Sequence, residues 1–280
     1  MNRRPTLLEM VRDGVVPIGM QSFTANAGLV EVMGAAGFDY VWLDTEHSPI
    51  DPRSLEDTMR ACEVAGLLPL VRIPEPGDHT AARRALEAGA HAIIAPMVRS
   101  AADVRELVRA LTYPPNGTRG LCPGLRVPGY SLTEFNDYMR ESDENLLIIP
   151  MIETAEALAN VDEIFAIKQV GATVFAMGEL SFAMGEGPYS PLNPRIREAQ
   201  EKVHAAARAH GIAVIGGDMF NTTVENYQRA MQDEIAILCV GIDVMSFRLM
   251  CEDIVGSVNR AVAAAPGKSR PTAKKSGFPR

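Results

Sequence analysis

Eight short apolar runs recur along the chain, and each is followed by a segment whose apolar residues are spaced as on one face of a helix. Most runs stay apolar throughout instead of alternating with polar residues, which is typical of parallel strands covered on both faces. Eight strands alternating with helices favour a closed (β/α)8 TIM barrel. The predicted strands are residues 15–22, 39–46, 67–74, 91–98, 146–153, 173–178, 212–217 and 237–243.

An open, doubly wound parallel sheet is the alternative to the barrel. It is disfavoured because the sequence has neither a G-x-G-x-x-G turn after its first strand nor a P-loop. No shift in composition divides the chain before its end, so we expect one catalytic domain over residues 1–265. Residues 266–280, PGKSRPTAKKSGFPR, are rich in proline and basic residues and are predicted to form a disordered tail.

Charge and hydropathy exclude several classes of partner. The net charge of −8 provides no general attraction to nucleic acid or to anionic membranes. No apolar stretch approaches the ~20 residues of a membrane span, and the first residues contain no run of signal-peptide length. The four cysteines are widely spaced and form no C-x-x-C pair, which argues against a zinc site and against disulfides. We therefore expect a soluble, cytoplasmic protein that acts on a small molecule.

The stretch with the most chemistry is residues 37–49, GFDYVWLDTEHSP. An apolar strand here ends in Asp44, Glu46 and His47. Charges are costly to bury inside a barrel, whereas at the end of a strand they can face a cleft. The other interpretation is a solvated loop after a strand. Three ionisable groups within four residues favour a site.

Other polar residues follow the remaining strands, at the end of a barrel where active sites lie. They are Arg72, Glu153, Gly178, Glu179 and Asp243. Two carboxylates from neighbouring strands suit a hard divalent cation such as Mg²⁺ or Mn²⁺, with Co²⁺ as a further candidate. An arginine opposite the cation suits a carboxylate or enolate oxygen, and a histidine beside an aspartate suits proton transfer. No lysine ends a strand, so no residue is an obvious Schiff-base nucleophile.

Each of these residues also has a purely structural interpretation. Arg72 could pair with a nearby acid, and Glu153 could be an acid favoured at a helix N-terminus. Glu179 could be a solvated loop residue. For Asp243 the structural interpretation is preferred over a role in the site.

At these residues the chain resembles the HpcH/HpaI aldolases, metal-dependent class II pyruvate aldolases such as 4-hydroxy-2-oxoheptanedioate aldolase and 2-dehydro-3-deoxyglucarate aldolase. The resemblance extends from about residue 15 to residue 262. It is carried by the order and spacing of GFDYVWLDTEHSP, PLVRIP, AGAHAIIAPMV, YPPNGTRG, PMIET and GELS.

The resemblance implies a lyase that cleaves a 2-keto-3-deoxy or 4-hydroxy-2-oxo acid to pyruvate and an aldehyde. It implies that Glu153 and Glu179 ligate the metal and that Arg72 holds the keto oxygen. Backbone amides near Gly178 would bind the pyruvate carboxylate beside Glu179.

The same resemblance implies that His47, oriented by Asp44, moves protons through water. It further implies a homo-oligomer, a hexamer built as a trimer of dimers, in which the last helix swaps between partners.

Two positions depart from the family pattern. Glu179 stands where an aspartate is usual, and Met151 stands where a glutamine is frequent two residues before the first metal glutamate. The alternatives left open are decarboxylation or another carbon–carbon cleavage by the same enolate chemistry, and a non-catalytic barrel that binds an oxo acid.

Overall fold

A computed structural model of the chain describes residues 4–188, 190, 193–217 and 222–271. Its eight parallel strands form a closed barrel in which each strand pairs with the next along the chain and β8 pairs with β1. The predicted TIM barrel is confirmed. The strands are β1 (Ile18–Ser22), β2 (Tyr40–Asp44), β3 (Leu68–Arg72), β4 (Ala92–Ala95), β5 (Ile148–Ile152), β6 (Ala172–Phe175), β7 (Ala213–Gly216) and β8 (Ile235–Ile242).

Helices surround the barrel in the order expected from the sequence. They are α1 (Leu7–Arg12), α2 (Ala27–Ala35), α3 (Pro52–Ala65), α4 (His79–Ala88), α5 (Ala101–Leu111), α6 (Leu132–Glu144), α7 (Ala155–Ala159), α8 (Val161–Phe165), α9 (Met177–Ala183), α10 (Pro194–His210), α11 (Val224–Gln232) and α12 (Asp243–Ala263). Local signals determine their ends. Asp51 caps α3 by accepting the backbone N–H of Ser54, and Gly66 ends the same helix in the left-handed conformation.

The pleat of the strands separates two buried layers. On β2, Tyr40 and Trp42 belong to the cluster inside the barrel, whereas Val41 and Leu43 belong to the layer between barrel and helices. The interior cluster also includes Leu7 of α1. The backbone N–H of Leu7 donates to His91 Nε2, at the start of β4, over 3.3 Å. Helix α1 therefore closes the N-terminal end of the barrel and leaves the opposite end for a site.

Among the element boundaries that differ from the sequence pattern, two concern residues considered for the site. The predicted sixth strand extends to residue 178, whereas β6 ends at Phe175 and α9 begins at Met177. Gly178 and Glu179 therefore lie in the first turn of a helix. The eighth strand was expected to include Asp243, which instead begins α12. Residues 272–280 of the predicted tail lie outside the described residues.

Helix α12 presents an uncovered apolar face. Its exposed large apolar side chains are Val244, Met245, Phe247, Leu249, Met250, Ile254, Val255 and Val258. Large apolar side chains exposed together in this way are characteristic of surfaces that bind another protein, a membrane or a ligand. Within the described residues, no helix is long and apolar enough to cross a membrane.

Candidate active site

The site is built around a buried ion pair between β2 and β3. The register of these strands places Asp44 directly beside Arg72. Arg72 Nε donates to Asp44 Oδ1 over 3.1 Å, and Nη2 donates to Oδ2. Asp44 is fully buried and Arg72 is 6% exposed. The two-pronged contact fixes the plane of the guanidinium, as a single charge–charge contact could not.

Asp44 also organises the loop that follows β2. Its Oδ1 accepts the backbone N–H of Glu46 over 2.9 Å and that of His47 over 3.1 Å. Its own backbone oxygen accepts the Ser48 hydroxyl. Through these bonds one carboxylate orders both the arginine and the loop.

The expected contact between Asp44 and the His47 ring is absent, and that prediction is wrong. The ring Nε2 lies 3.5 Å from Glu46 Oε2, while Asp44 binds only the His47 backbone. The reason is competition, because Arg72 and two backbone amides already occupy the Asp44 oxygens. Glu46 Oε2 also lies 3.0 Å from Arg72 Nη1, so Glu46 connects the arginine to the histidine. The His47 side chain is 58% exposed and can reach a ligand in the mouth of the barrel.

Glu153 lies immediately after β5 and is buried. Its Oε1 accepts the backbone N–H of Met97, a residue held at φ +50° after β4. The helix that follows begins with Thr154 as its N-cap, so Glu153 stands outside α7. The alternative role of Glu153 as a helix N-terminal acid therefore does not fit.

Glu179 reaches the same end of the barrel from α9. Its charge raises the pKa of both Glu46 and Glu153, which requires the three carboxylates to be near one another. Unlike Glu153, the Glu179 side chain is exposed. At the preceding residue no atom lies within 4 Å of where a Cβ of Gly178 would stand, so the backbone there borders open space.

These carboxylates carry more negative charge than the neighbouring cations neutralise. Burial is the largest cause that raises the pKa of Glu153, and the charges of Glu46 and Glu179 raise it further. The hydrogen bond from the Met97 backbone and, less strongly, the charge of Arg72 oppose that rise in pKa. Burial likewise raises the pKa of Glu46, although Arg72 and His47 lower it. Because Arg72 is already paired with Asp44, its positive charge offsets only part of the negative charge of Glu46, Glu153 and Glu179.

The donor set fits a hard divalent cation. Carboxylate oxygens that are not neutralised by a neighbouring cation, in a site without cysteine, are ligands that Mg²⁺ and Mn²⁺ prefer. In the described parts of the chain, no group of three or more His, Cys, Asp or Glu side chains is arranged to hold a metal ion. A cation held by two carboxylates, with water in the remaining positions, stays a prediction.

Asp243 has the structural role that the sequence analysis preferred. Its carboxylate accepts the hydroxyls of Ser22 (2.8 Å) and Thr24 (2.6 Å) and the backbone N–H of Phe23 (3.0 Å). Burial opposes ionisation, but these hydrogen bonds outweigh it and lower the pKa of Asp243 below its ordinary value. Asp243 thus ties the start of α12 to the loop after β1.

Sequence reasoning missed two contributors to the site. Glu46 was noted beside His47 but was given no role, although the DTEH stretch contained the signal. The Met97 amide could not be foreseen, because it comes from a loop 56 residues before Glu153 and bonds through the backbone.

Comparison with known proteins gives a consistent picture. The family model described as HpcH/HpaI aldolase/citrate lyase matches residues 18–249. A 2-dehydro-3,6-dideoxy-6-sulfogluconate aldolase of Pseudomonas putida is 30% identical over 94% of this chain and 98% of its own length. A hydroxypyruvate/pyruvate aldolase of Pseudomonas aeruginosa is 31% identical over 93% of this chain and 95% of its own. Among solved structures, an HpcH/HpaI aldolase from Desulfitobacterium hafniense DCB-2 superposes with a TM-score of 0.83 at 26% identity, covering 95% of this chain and all of the other.

Proposed function

This chain belongs to the HpcH/HpaI aldolase/citrate lyase family and is a carbon–carbon lyase of the aldolase type, and from that premise we propose its reaction and the residues that perform it. The proposed substrate is a 2-keto-3-deoxy or 4-hydroxy-2-oxo acid, which is cleaved to pyruvate and an aldehyde. The observation that carries the proposal is the buried Asp44–Arg72 pair beside the carboxylates of Glu46, Glu153 and Glu179. The names of the two relatives, a sulfogluconate aldolase and a hydroxypyruvate/pyruvate aldolase, support an oxo-acid substrate.

In this proposal Glu153 and Glu179 hold a divalent cation, Mg²⁺ or Mn²⁺, or Co²⁺ in their place. A bound cation of this kind supplies a Lewis acid that polarises the keto group of the substrate. Glu153 suits the role of metal ligand because the backbone N–H of Met97 binds its Oε1 and leaves Oε2 available for the cation. Glu179 is exposed, and its extra methylene relative to aspartate lets its carboxylate extend from the first turn of α9.

Arg72 is proposed to bind the keto oxygen and to stabilise the enolate that forms when the carbon–carbon bond breaks. Its Nε and Nη2 are committed to Asp44, so Nη1, which is paired with Glu46, is the donor that would exchange this partner for the keto oxygen of the substrate. Donors already oriented toward developing charge are the most effective form of electrostatic catalysis. Asp44 is the residue that keeps Arg72 in place.

His47 is proposed to move the protons of the reaction, with Glu46 rather than Asp44 beside its ring. An imidazole can accept and return a proton near pH 7. It would accept, directly or through water, the proton of the C4 hydroxyl. The C3–C4 bond then breaks, its electron pair forms the enolate and the aldehyde leaves. Return of the proton to C3 of the enolate gives pyruvate. The open backbone at Gly178 would accommodate the substrate carboxylate beside Glu179.

The proposal includes a homo-oligomer in the cytoplasm. The apolar face of α12 supports it, since burying those side chains against a second copy would remove them from water. The expected assembly is a hexamer, a trimer of dimers with α12 exchanged between partners. Light scattering on purified protein tests it, and a monomer at micromolar concentration would contradict it.

The decisive experiment is a substrate panel with and without chelation. Oxo acids and aldehydes are screened for pyruvate release or carbon–carbon bond formation, before and after EDTA treatment and after addition of Mg²⁺, Mn²⁺ or Co²⁺. We expect activity to disappear on chelation and to return with the metal. Full activity after exhaustive chelation, or borohydride trapping of a substrate on lysine, would overturn the metal-dependent mechanism.

A further inference from the structure

Trp42 is the only tryptophan of the chain, and it lies on β2 two residues before Asp44. Its side chain belongs to the cluster inside the barrel and is 2% exposed. Side chains two residues apart on a strand point to the same face, so Trp42 occupies the layer directly beneath the Asp44–Arg72 pair.

The indole contacts the arginine of the site through its aromatic face. The guanidinium carbon of Arg72 lies 5.5 Å from the centroid of the Trp42 ring, within the range of a cation–π contact. Tryptophan gives the strongest contact of this type among the aromatic residues, and burial increases it because water does not compete. Met151 adds a second contact, with its Sδ 3.9 Å from Arg72 Nη1.

The N–H group of the indole makes no favourable contact within the part of the chain that the structure describes. Trp42 Nε1 is buried and has no hydrogen-bond partner among the described residues. A buried donor without a partner is destabilising, and a phenyl ring at this place would avoid that penalty. The indole therefore contributes most through the face that lies against Arg72.

We propose that Trp42 is a positioning residue, which supports the Arg72 guanidinium from below so that Nη1 turns toward the substrate without loss of orientation. The inference rests on the proposed function, since it assumes that Arg72 binds the keto oxygen. Asp44 fixes the guanidinium from one edge, and Trp42 together with Met151 limits its movement into the barrel. The contact of Trp42 with Arg72 matters most when negative charge develops on the keto oxygen of the substrate. Its loss should therefore reduce kcat more than it raises KM.

The test compares Trp42→Phe and Trp42→Leu with a control from the same strand. Tyr40 is also buried inside the barrel, one layer below, and its hydroxyl donates to the Leu238 backbone oxygen over 3.0 Å. Tyr40→Phe removes a satisfied hydrogen bond without altering the surroundings of Arg72. All variants are measured for oxaloacetate turnover with Mg²⁺, for pyruvate affinity by calorimetry with Mg²⁺ present, and for the melting temperature Tm.

We expect Trp42→Leu to lower kcat/KM about tenfold, equivalent to about 1.4 kcal/mol, with most of the loss in kcat. Trp42→Phe should recover part of that loss, because it restores an aromatic face, and its Tm should fall no further than that of Tyr40→Phe. Tyr40→Phe should lower Tm and leave kcat/KM unchanged. A merely structural Trp42 gives the opposite pattern, in which activity follows Tm in all three variants.

Two results overturn the inference alone. They are wild-type kcat/KM in Trp42→Leu, and a loss in Tyr40→Phe as large as that in Trp42→Leu. If wild-type protein binds pyruvate but does not turn over oxaloacetate, the proposed lyase reaction fails on its own. The role of Trp42 is then measured by the rate of hydrogen exchange at C3 of bound pyruvate, which reports enolate formation, and equal exchange rates in wild type and Trp42→Leu would refute it. Wild-type protein that neither binds pyruvate nor turns over oxaloacetate refutes both.

Discussion

Replacing Arg72 with lysine tests the centre of the site while preserving its charge. Arg72 has contacts at each of its three nitrogens, two with Asp44 and one with Glu46. A lysine ammonium is a point charge that can keep one of these contacts in good geometry and cannot reproduce the planar fork. Arg72→Lys therefore leaves one buried oxygen of Asp44 without its ionic partner.

The magnitudes follow from those contacts. A hydrogen bond to a charged group contributes about 1.5–3 kcal/mol, so the loss of one or two should lower the free energy of unfolding by about 2–4 kcal/mol. Activity should fall as well, because removing one donor to a developing oxyanion typically costs about 10²–10³ in rate. We expect folded protein with a reduced Tm and a kcat/KM lower by at least about 10².

The assay measures kcat/KM for pyruvate release, the affinity for Mg²⁺ and Tm on the same preparations. Arg109→Lys is the matched control, because Arg109 of α5 also forms a two-pronged pair, with Glu106, but on the surface. The Arg109–Glu106 pair is exposed to solvent, and exposed ion pairs contribute about 0–1 kcal/mol to the free energy of unfolding. The control should be active and stable. A near-normal kcat/KM in Arg72→Lys would place Arg72 outside the reacting centre.

Three further predictions concern single carboxyl or imidazole groups. His47→Ala should lower turnover by about 10²–10⁴ and leave Mg²⁺ affinity unchanged by calorimetry; a collapse of affinity would make His47 a metal ligand instead. Glu153→Gln should weaken Mg²⁺ binding together with activity, and undiminished affinity would exclude Glu153 as a ligand. The pKa of Asp243 is below its ordinary value of 3.8, so its contribution to stability is present above that value and is lost as the pH falls through the lowered pKa. Asp243→Asn should therefore flatten the acid-induced decrease in unfolding free energy, and an unchanged pH profile in urea titrations would contradict this.

The sequence was sufficient for the barrel because the eight apolar runs and their helices are local patterns. It also placed Asp44, Arg72 and Glu153 at one end, since the strands of a parallel barrel all end there. The contacts between these residues were less accessible. The spacing of Asp44 and His47 suggested a bond to the ring, but the register of β2 on β3 gives Asp44 a stronger partner in Arg72.

The boundary at β6 was missed for a similar reason. An apolar strand with a glycine at its end predicts a turn, and the seven-residue helix α9 is too short to reveal itself by periodicity. The difference affects the site, because Gly178 and Glu179 lie in the first turn of a helix instead of at the end of a strand.

Several unfavourable features of the described residues occur together at the C-terminal end of the barrel. They are the buried Asp44–Arg72 pair, the unpartnered Trp42 N–H, the positive φ of Met97 and the raised pKa of Glu46 and Glu153. A buried ion pair is weak evidence of stabilisation, because desolvation offsets much of the attraction, and a non-glycine residue at positive φ costs about 1–3 kcal/mol. Toward the opposite end of the same interior cluster, Leu7 and Tyr40 pack among apolar side chains.

This division connects the fold to the proposed chemistry. A barrel selected for stability alone would have apolar residues in place of Asp44 and Arg72, since well-packed substitutes for buried ion pairs are often neutral or stabilising. Replacing Asp44 with leucine and Arg72 with methionine together should therefore lower Tm less than either replacement alone while abolishing turnover. The double variant leaves no unpaired buried charge, and only the backbone N–H groups of Glu46 and His47 lose their acceptor. A double variant that unfolds would instead mean that the pair holds β2 against β3, and the site would then owe its geometry to the same contact that maintains the barrel.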